Sequence, residues 1–340
     1  MGAVHFHRPA AGGDPGSLAA RLRARVGTVP SVATLGPFVA LLAACAFFAT
    51  QSDRFLAGGN LSLIAQQVAV VGVIAIGQTL VILTAGIDLS CGMVMALAGM
   101  VMTKLASEGG VPPAVAILLG ILVAAAFGLA NGLLVTRVRL PSFIVTLGTM
   151  NIAFAATQLY SNAQTITDLP PLFTSLGGTF TVGRTAVAWG TVAMLALYAI
   201  AWFLLRETAK GRHVYAVGNN AEATRLVGIR TQRVLLGVYT LAGALYGIAA
   251  VLSVARTGVG DPNAGQTDNL DSITAVVLGG TSLFGGRGGV LGTLVGALVV
   301  GVFRNGLTLI GVSSIYQVLV TGVLVILAVA ADQLSRKSSR

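Results

Sequence analysis

Long runs without a single charge, separated by short polar stretches, dominate this chain. No Asp, Glu, Lys or Arg occurs between Phe55 and Ile87, Gly109 and Thr136, or Leu140 and Thr167. The same holds for Thr185–Leu205, Val234–Ala255 and Asn305–Ala331. A helix needs about 20 apolar residues to cross the hydrocarbon core, and each of these runs is long enough. The full pattern predicts an all-α polytopic membrane protein with ten crossings, at about 33–51, 61–84, 89–106, 112–135, 141–160, 186–205, 234–254, 270–284, 289–308 and 312–332. The eighth is short, Gly-rich and carries Asp271 near its start, which marks it as a broken or re-entrant segment.

Composition agrees. Charged residues make up 9% of the chain, against about 25% in an ordinary soluble domain, so a water-facing surface could not be covered and membrane lipid is the expected surrounding. The net charge of +10 suggests nucleic acid, but the basic residues flank apolar runs and build no folded basic face, so no nucleic-acid partner is expected. Ten crossings put both termini on one side. Sixteen basic residues then fall on that side (Arg8, Arg21, Arg23, Arg25, Arg137, Arg139, Arg206, Lys210, Arg212, Arg225, Arg230, Arg233, Arg287, Arg336, Lys337 and Arg340). Only five fall opposite (Arg54, Lys104, Arg184, Arg256 and Arg304). Positive loops face the cytosol, so both termini are expected there.

Three units follow. Residues 1–31, rich in Gly, Ala, Pro and Arg, read as a disordered cytosolic tail. Residues 32–335 form the membrane domain, with a cytosolic loop at 206–233, and 336–340 form a basic cytosolic tail. The first apolar run reaches full spanning length with no A-x-A site after it, so it is expected to stay as a helix. Cys45 and Cys91 both lie in apolar stretches and read as small buried hydrophobes. No catalytic residue, cofactor or metal ligand set is expected.

An internal repeat is also visible. Leu89–Met100 (LSCGMVMALAGM) resembles Leu270–Thr281 (LDSITAVVLGGT), Asn131-Gly132-Leu133 matches Asn305-Gly306-Leu307, and Gly148 then falls opposite Gly322. Under the ten-crossing topology the copies have inverted orientation, a common transporter design. Within the first copy, Gly86 is a candidate left-handed helix terminus. Asp88 reads either as a cap for the next helix, together with Ser90, or as a direct participant in substrate passage or gating. Asn131 and Asn305 either satisfy a neighbouring helix or line a path for a polar solute. Neutral groups such as Gln78, Asn151 and Gln158, with aromatics such as Phe143, suit a neutral polyol better than an ion.

The loop Gly211–Ile229 (GRHVYAVGNNAEATRLVGI) predicts a short helix capped by Asn219 or Asn220, with Glu222 in its first turn and Gly228 at its end. Such a helix across the membrane face is shaped to dock into a groove on a partner. No Gly-Lys pair exists anywhere, so the chain lacks a P-loop and cannot turn over ATP itself. The rival reading, an ion-coupled secondary transporter of a small polar solute, needs carboxylates within the spans. Only Asp88 and Asp271 come close.

Four stretches in order carry a resemblance: GIDLSCGMVMALAGM (86–100), NGLLVTRVRLPSFIVTLGTM (131–150), GRHVYAVGNNAEATRLVGI (211–229) and AVVLGGTSLFGGRGGVLGTLVGAL (275–298), continuing into RNGLTLIGVSS (304–314). Over roughly 55–335 the chain resembles the permease subunits of bacterial ABC importers for ribose, xylose, galactose and related monosaccharides. The resemblance implies a homodimer in the bacterial inner membrane. It also implies a cytosolic ATP-binding subunit with two fused nucleotide-binding domains, and a periplasmic sugar-binding protein. It makes the segment Gly218, Asn219, Asn220, Glu222, Ala223, Arg225 and Gly228 the ATPase-coupling loop, with Glu222 and Arg225 as contacts. Asp88, Asn131, Phe143 and Asn305 are the candidates for path or gate.

Overall fold

A computed structural model describes residues 32–183 and 185–337; the expected tail at 1–31 and the last three residues lie outside them. Helices occupy each apolar segment: α1 (Val32–Gln51), α2 (Gly58–Leu83), α3 (Cys91–Ser107), α4 (Pro113–Leu133), α5 (Ser142–Ser161) and α6 (Trp189–Glu207). Two short helices, α7 (Ala209–Asn219) and α8 (Ala221–Leu226), then lead into α9 (Thr231–Thr257), α10 (Asp268–Leu278), α11 (Val290–Leu309) and α12 (Ser314–Lys337). By length and composition, α2, α4, α5, α6, α9 and α11 are long and apolar enough to cross a membrane. Between α5 and α6 lies a two-stranded antiparallel hairpin, β1 (Thr179–Val182) and β2 (Thr185–Ala188), with Thr179 paired to Ala188.

The helices are not equivalent. In α2, 83% of the most apolar 18-residue stretch is buried, against 22% in α4 and 28% in α5 and α6. So α2 is the axis of the bundle and α4, α5 and α6 lie at its edge, turning leucines such as Leu122, Leu147 and Leu195 outward. Small residues let the backbones close on one another. A Cβ on Gly128 of α4 would overlap the Tyr239 carbonyl oxygen of α9, and one on Gly296 of α11 would overlap the Ala275 carbonyl of α10. On the far side α1 packs on α11, with Phe48 edge-on to Phe303 at 5.7 Å between ring centroids.

The eighth segment is the one that departs from its expected range. Helix α10 ends at Leu278, and residues 279–289 return as a non-helical loop. Eleven residues rise about 16 Å, roughly half of a hydrocarbon core. The chain reaches the start of α10 through 258–267, which folds inward until Gly265 meets Gly92 at the first turn of α3; a Cβ on Gly92 would overlap the Gly265 carbonyl oxygen. Nearby, Cys91 Sγ lies 3.8 Å from Ser272 Oγ. The N-termini of α3 and α10 therefore meet inside the bundle. From there the two helices lead to opposite ends: Ser107 at the foot of α3 donates to the Asp168 carbonyl beside the hairpin, whereas α10 leads to the loop that touches Leu83 and Gly218.

This close approach is testable in the purified chain. Gly92→Val places atoms where the Gly265 carbonyl lies and is expected to cost about 1–3 kcal/mol or more, read as a drop of several degrees in detergent thermal unfolding. Gly237→Ala, at a helical position of α9 with nothing within 4 Å, should not lower the midpoint.

Candidate translocation and coupling sites

The break between α2 and α3 is built around Asp88. Ala85 adopts a left-handed backbone (φ 61°), so the expected left-handed terminus falls one residue before Gly86. Gly86 is instead required for space, since a Cβ there would approach the Tyr239 hydroxyl to 2.6 Å. Asp88 is fully buried. Its Oδ1 accepts from the Ser90 amide at 2.9 Å and the Ser90 hydroxyl at 2.6 Å, and its Oδ2 accepts from the Tyr246 hydroxyl at 3.2 Å. It braces Ser90 at the head of α3 without bonding the helix's own first-turn amides. The non-helical backbone around it is satisfied from α5 and α2: Ile87 donates to Ser142 Oγ and Leu89 to Thr146 Oγ1, both at 3.1 Å. Gln78 donates to the Asp88 carbonyl and, at 3.1 Å, to Cys91 Sγ.

The other expected path residues fall in different places. Asn131 is buried in α4 and donates to the Ser90 hydroxyl at 3.1 Å, joining the Asp88 cluster. Asn305, buried in α11, exchanges two bonds of 2.9 Å with Asn60 of α2. Phe143 stands half-exposed at the start of α5, outside both groups. The structure thus unites Asp88 with Asn131 and separates them from Asn305 and Phe143.

At the other end of the bundle, a cavity of about 300 Å³ opens between α2, α3, α9, α10 and α11. Arg304 of α11 reaches Asp271 at 2.9 Å and Asp268 at 3.9 Å, and Arg256 and Gln67 line the same space. Sequence singled out Asp271 as a lone carboxylate in a span. Its partner Arg304 lies 33 residues away in the chain, a pairing that no local pattern encodes.

The α7–α8 loop is ordered by its own caps. Thr208 Oγ1 accepts from the Gly211 amide at 3.1 Å and starts α7. Asn220 Oδ1 accepts from the Ala223 amide at 2.9 Å and starts α8. Gly218 and Asn219 therefore belong to the end of α7, and the short helix begins only at Ala221. Glu222 in its first turn pairs with Arg225, whose Nη2 donates to Oε1 at 2.5 Å, and the guanidinium holds the Glu222 carboxyl below its ordinary range. Gly228, with φ 88°, turns the chain toward α9. Two features escaped the sequence. Leu226 and Val227 are 75% and 76% exposed at the tip of this loop, an apolar pair left bare. Gly218 packs so closely that a Cβ would overlap the Leu83 carbonyl oxygen at the end of α2. That same oxygen accepts from the Gly286 amide at 3.0 Å, and Tyr215 donates to the Gly288 carbonyl at 3.0 Å. One surface helix thus grips both interrupted segments.

Residues 60–329 match the family described as "Branched-chain amino acid transport system / permease component". The chain is 44% identical over 312 residues to a fructose import permease protein of Rhizobium meliloti, covering 90% of this chain and 87% of that one. It is 40% identical over 301 residues to a ribose import permease protein of Bacillus subtilis, covering 88% and 92%. It is 34% identical over 314 residues to a galactose/methyl galactoside import permease protein of Escherichia coli, covering 88% and 94%. This chain belongs to the family of bacterial ABC sugar-import permeases. It is a multi-pass inner-membrane transport subunit. The family description speaks of amino acids, but each of these relatives carries a sugar in its name.

The Asp88 brace yields a graded expectation for this permease. Asp88→Leu strands three donors, each costing about 1–3 kcal/mol when left unsatisfied in the interior, and should remove most of the monodisperse folded chain in fluorescence-detected size exclusion. Asp88→Asn keeps an acceptor for Ser90 and should retain at least half of it.

Proposed function

We propose that this permease forms the path by which a monosaccharide of the fructose, ribose or galactose type crosses the inner membrane, energised by a separate ATP-binding subunit. In this reading all ten apolar segments enter the bilayer, α10 as a half-span, with both termini cytosolic. The sixteen-to-five basic bias supports that orientation. The heads of α3 and α10 meet within the bundle and the helices leave toward opposite ends, which supports an inverted repeat pairing Leu89–Met100 with Leu270–Thr281. A second copy of the chain completes the path. Helix α5 supports this, since it leaves Gly148, Asn151 and Ala155 exposed along one strip between Ile144 and Leu159, a small–polar–small stretch suited to facing another copy rather than lipid.

The observation that carries the reading is the grip of α7 on both breaks. Without a P-loop the chain must receive its energy mechanically. The 209–228 loop is the place to receive it: exposed at its tip, and joined at Gly218 and Tyr215 to residues 83–86 and 285–288. Leu226 and Val227 offer the apolar contact for the ATP-binding subunit, with the Glu222–Arg225 pair at its rim and Asn219, Asn220 and Ala223 shaping the turn. Asp88 and Asn131 act by holding the head of α3, and Asn305 by tying α11 to α2; Phe143 faces the partner copy or lipid. The ion-coupled alternative is weakened by the same geometry, because Asp271 is held by Arg304 and Asp88 is spent on Ser90 and Tyr246. A secreted sugar-binding protein delivers the solute.

Replacing Leu226 and Val227 together by Asp should cut ATP-dependent sugar uptake more than tenfold, the loss expected when central apolar anchors of an interface are removed. The chain's own thermal unfolding should not move, and the ATP-binding subunit should no longer co-purify. Glu222→Ala, at an exposed surface pair, should cost far less. Normal uptake and co-purification by the double variant would sink the docking assignment.

A further inference from the structure

We propose that a line of side-chain amides between α5 and the inward-folded segment 261–269 is the sugar-contacting wall of the path, with its station at Asn151. The inference rests on the permease reading above and names the residues that would meet the solute.

Asn151 stands midway along the 20-residue α5, yet it is exposed, and its amide donates only to the Leu147 carbonyl of its own helix, at 3.0 Å. A helix of that length spans about 30 Å, so Asn151 sits near the centre of the hydrocarbon thickness. An amide facing lipid at that depth is costly, and polar side chains within spans face protein or water. The side of α5 that carries Asn151 therefore turns away from lipid, toward the path that a second copy completes in the reading above.

That path has a definite lining. A cleft of about 170 Å³, the scale of one sugar ring, is bounded by Asn151, Gln266 and Asn269 together with Met93, Met150 and Phe154. It contains no charge. Three amides supply paired donors and acceptors for hydroxyls, and the Phe154 ring and two thioethers supply the apolar surface that the C–H face of a sugar packs against. A cleft of this make-up favours a neutral polyol over an ion or an amino acid, whose charges would find no partner here.

The cleft also has an approach. Toward the hairpin end of the bundle, Gln158 donates to Asn263 Oδ1 at 3.2 Å, and Gln266 donates to the same oxygen at 3.1 Å. Amides thus continue from Asn151 and Asn269 past Gln266 to Asn263 and Gln158. A solute moving along them trades one amide for the next and is never without hydrogen-bond partners. The inward fold of 261–269 makes this possible, because it brings Gln266 of the α9–α10 connection and Asn269 in the first turn of α10 to the head of α3, where Asn269 lies 3.5 Å from the Leu89 carbonyl. The charged cavity around Arg304 lies on the other side of that same segment, sharing only Gly265 and Gln266.

The test uses cells expressing the chain with its ATP-binding and sugar-binding partners, assayed with radiolabelled D-fructose, D-ribose and D-galactose. Import of at least one sugar by the parental chain is measured first; a parent that imports none contradicts the permease reading itself, before any variant is made. Single cysteines are then placed in a Cys45→Ser background, where Cys91 is fully buried, and treated with a charged, membrane-impermeant thiosulfonate. Asn151→Cys and Asn269→Cys should react, more slowly when the imported sugar is present. Ile152→Cys, 60% exposed on the adjacent face of α5, should not. Asn151→Leu should lower uptake about tenfold while ATP hydrolysis by the complex stays within twofold. An unreactive Asn151→Cys, a reactive Ile152→Cys, or parental uptake by Asn151→Leu would each overturn the assignment.

Discussion

A polypeptide that breaks its helices inside a bilayer must satisfy the freed backbone groups from within, and this requirement organises the bundle. Residues 84–90 are non-helical at the heart of the protein. Their amides are met by Ser142, Thr146 and the Asp88 carboxylate, and the Asp88 carbonyl by Gln78. The partners come from α5 (Ser142 and Thr146), from α2 (Gln78) and from the break itself, so α2, α5 and the head of α3 are fixed to one another by hydrogen bonds as well as by packing. The return loop after α10 is held likewise, with Ser282 and Arg287 bonded across it and Gly286 bonded to Leu83.

From that constraint follows a mechanical arrangement. Segments that need outside partners can be moved by moving those partners. Helix α7 is such a partner for both interruptions, seated without side-chain padding at Gly218 and through a hydrogen bond at Tyr215. In the proposed reading, a push on the α7–α8 loop reaches the end of α2 and the loop before α11 together. Those two segments lead directly into α3 and out of the half-span α10, whose heads meet beside the amide-lined cleft. The contacts form one connected chain of packed backbone from the surface loop to the proposed station of the solute.

The sequence made some of this legible and hid the rest for physical reasons. Charge-free runs marked the apolar helices because lipid excludes charge over a fixed length. The caps of the loop were legible at Asn220 and Glu222, since capping is local. What stayed hidden was contact between distant segments. Nothing near Asp271 announces Arg304, and nothing near Gly218 announces Leu83. Asn151 was visible only as one neutral polar group among several; its exposure at mid-span depends on which face of α5 the neighbours leave open. The left-handed residue at the first break was expected at Gly86 and occurs one residue earlier, at Ala85.

The central claim is that motion of the ATP-binding partner passes through α7 into both interrupted segments at once. Hydrogen–deuterium exchange on the assembled complex, with and without ATP under non-hydrolysing conditions, tests this most directly. The account predicts that peptides covering 83–90 and 279–289 change protection together with 209–227. A change confined to 209–227, with both interruptions unaltered, would contradict it.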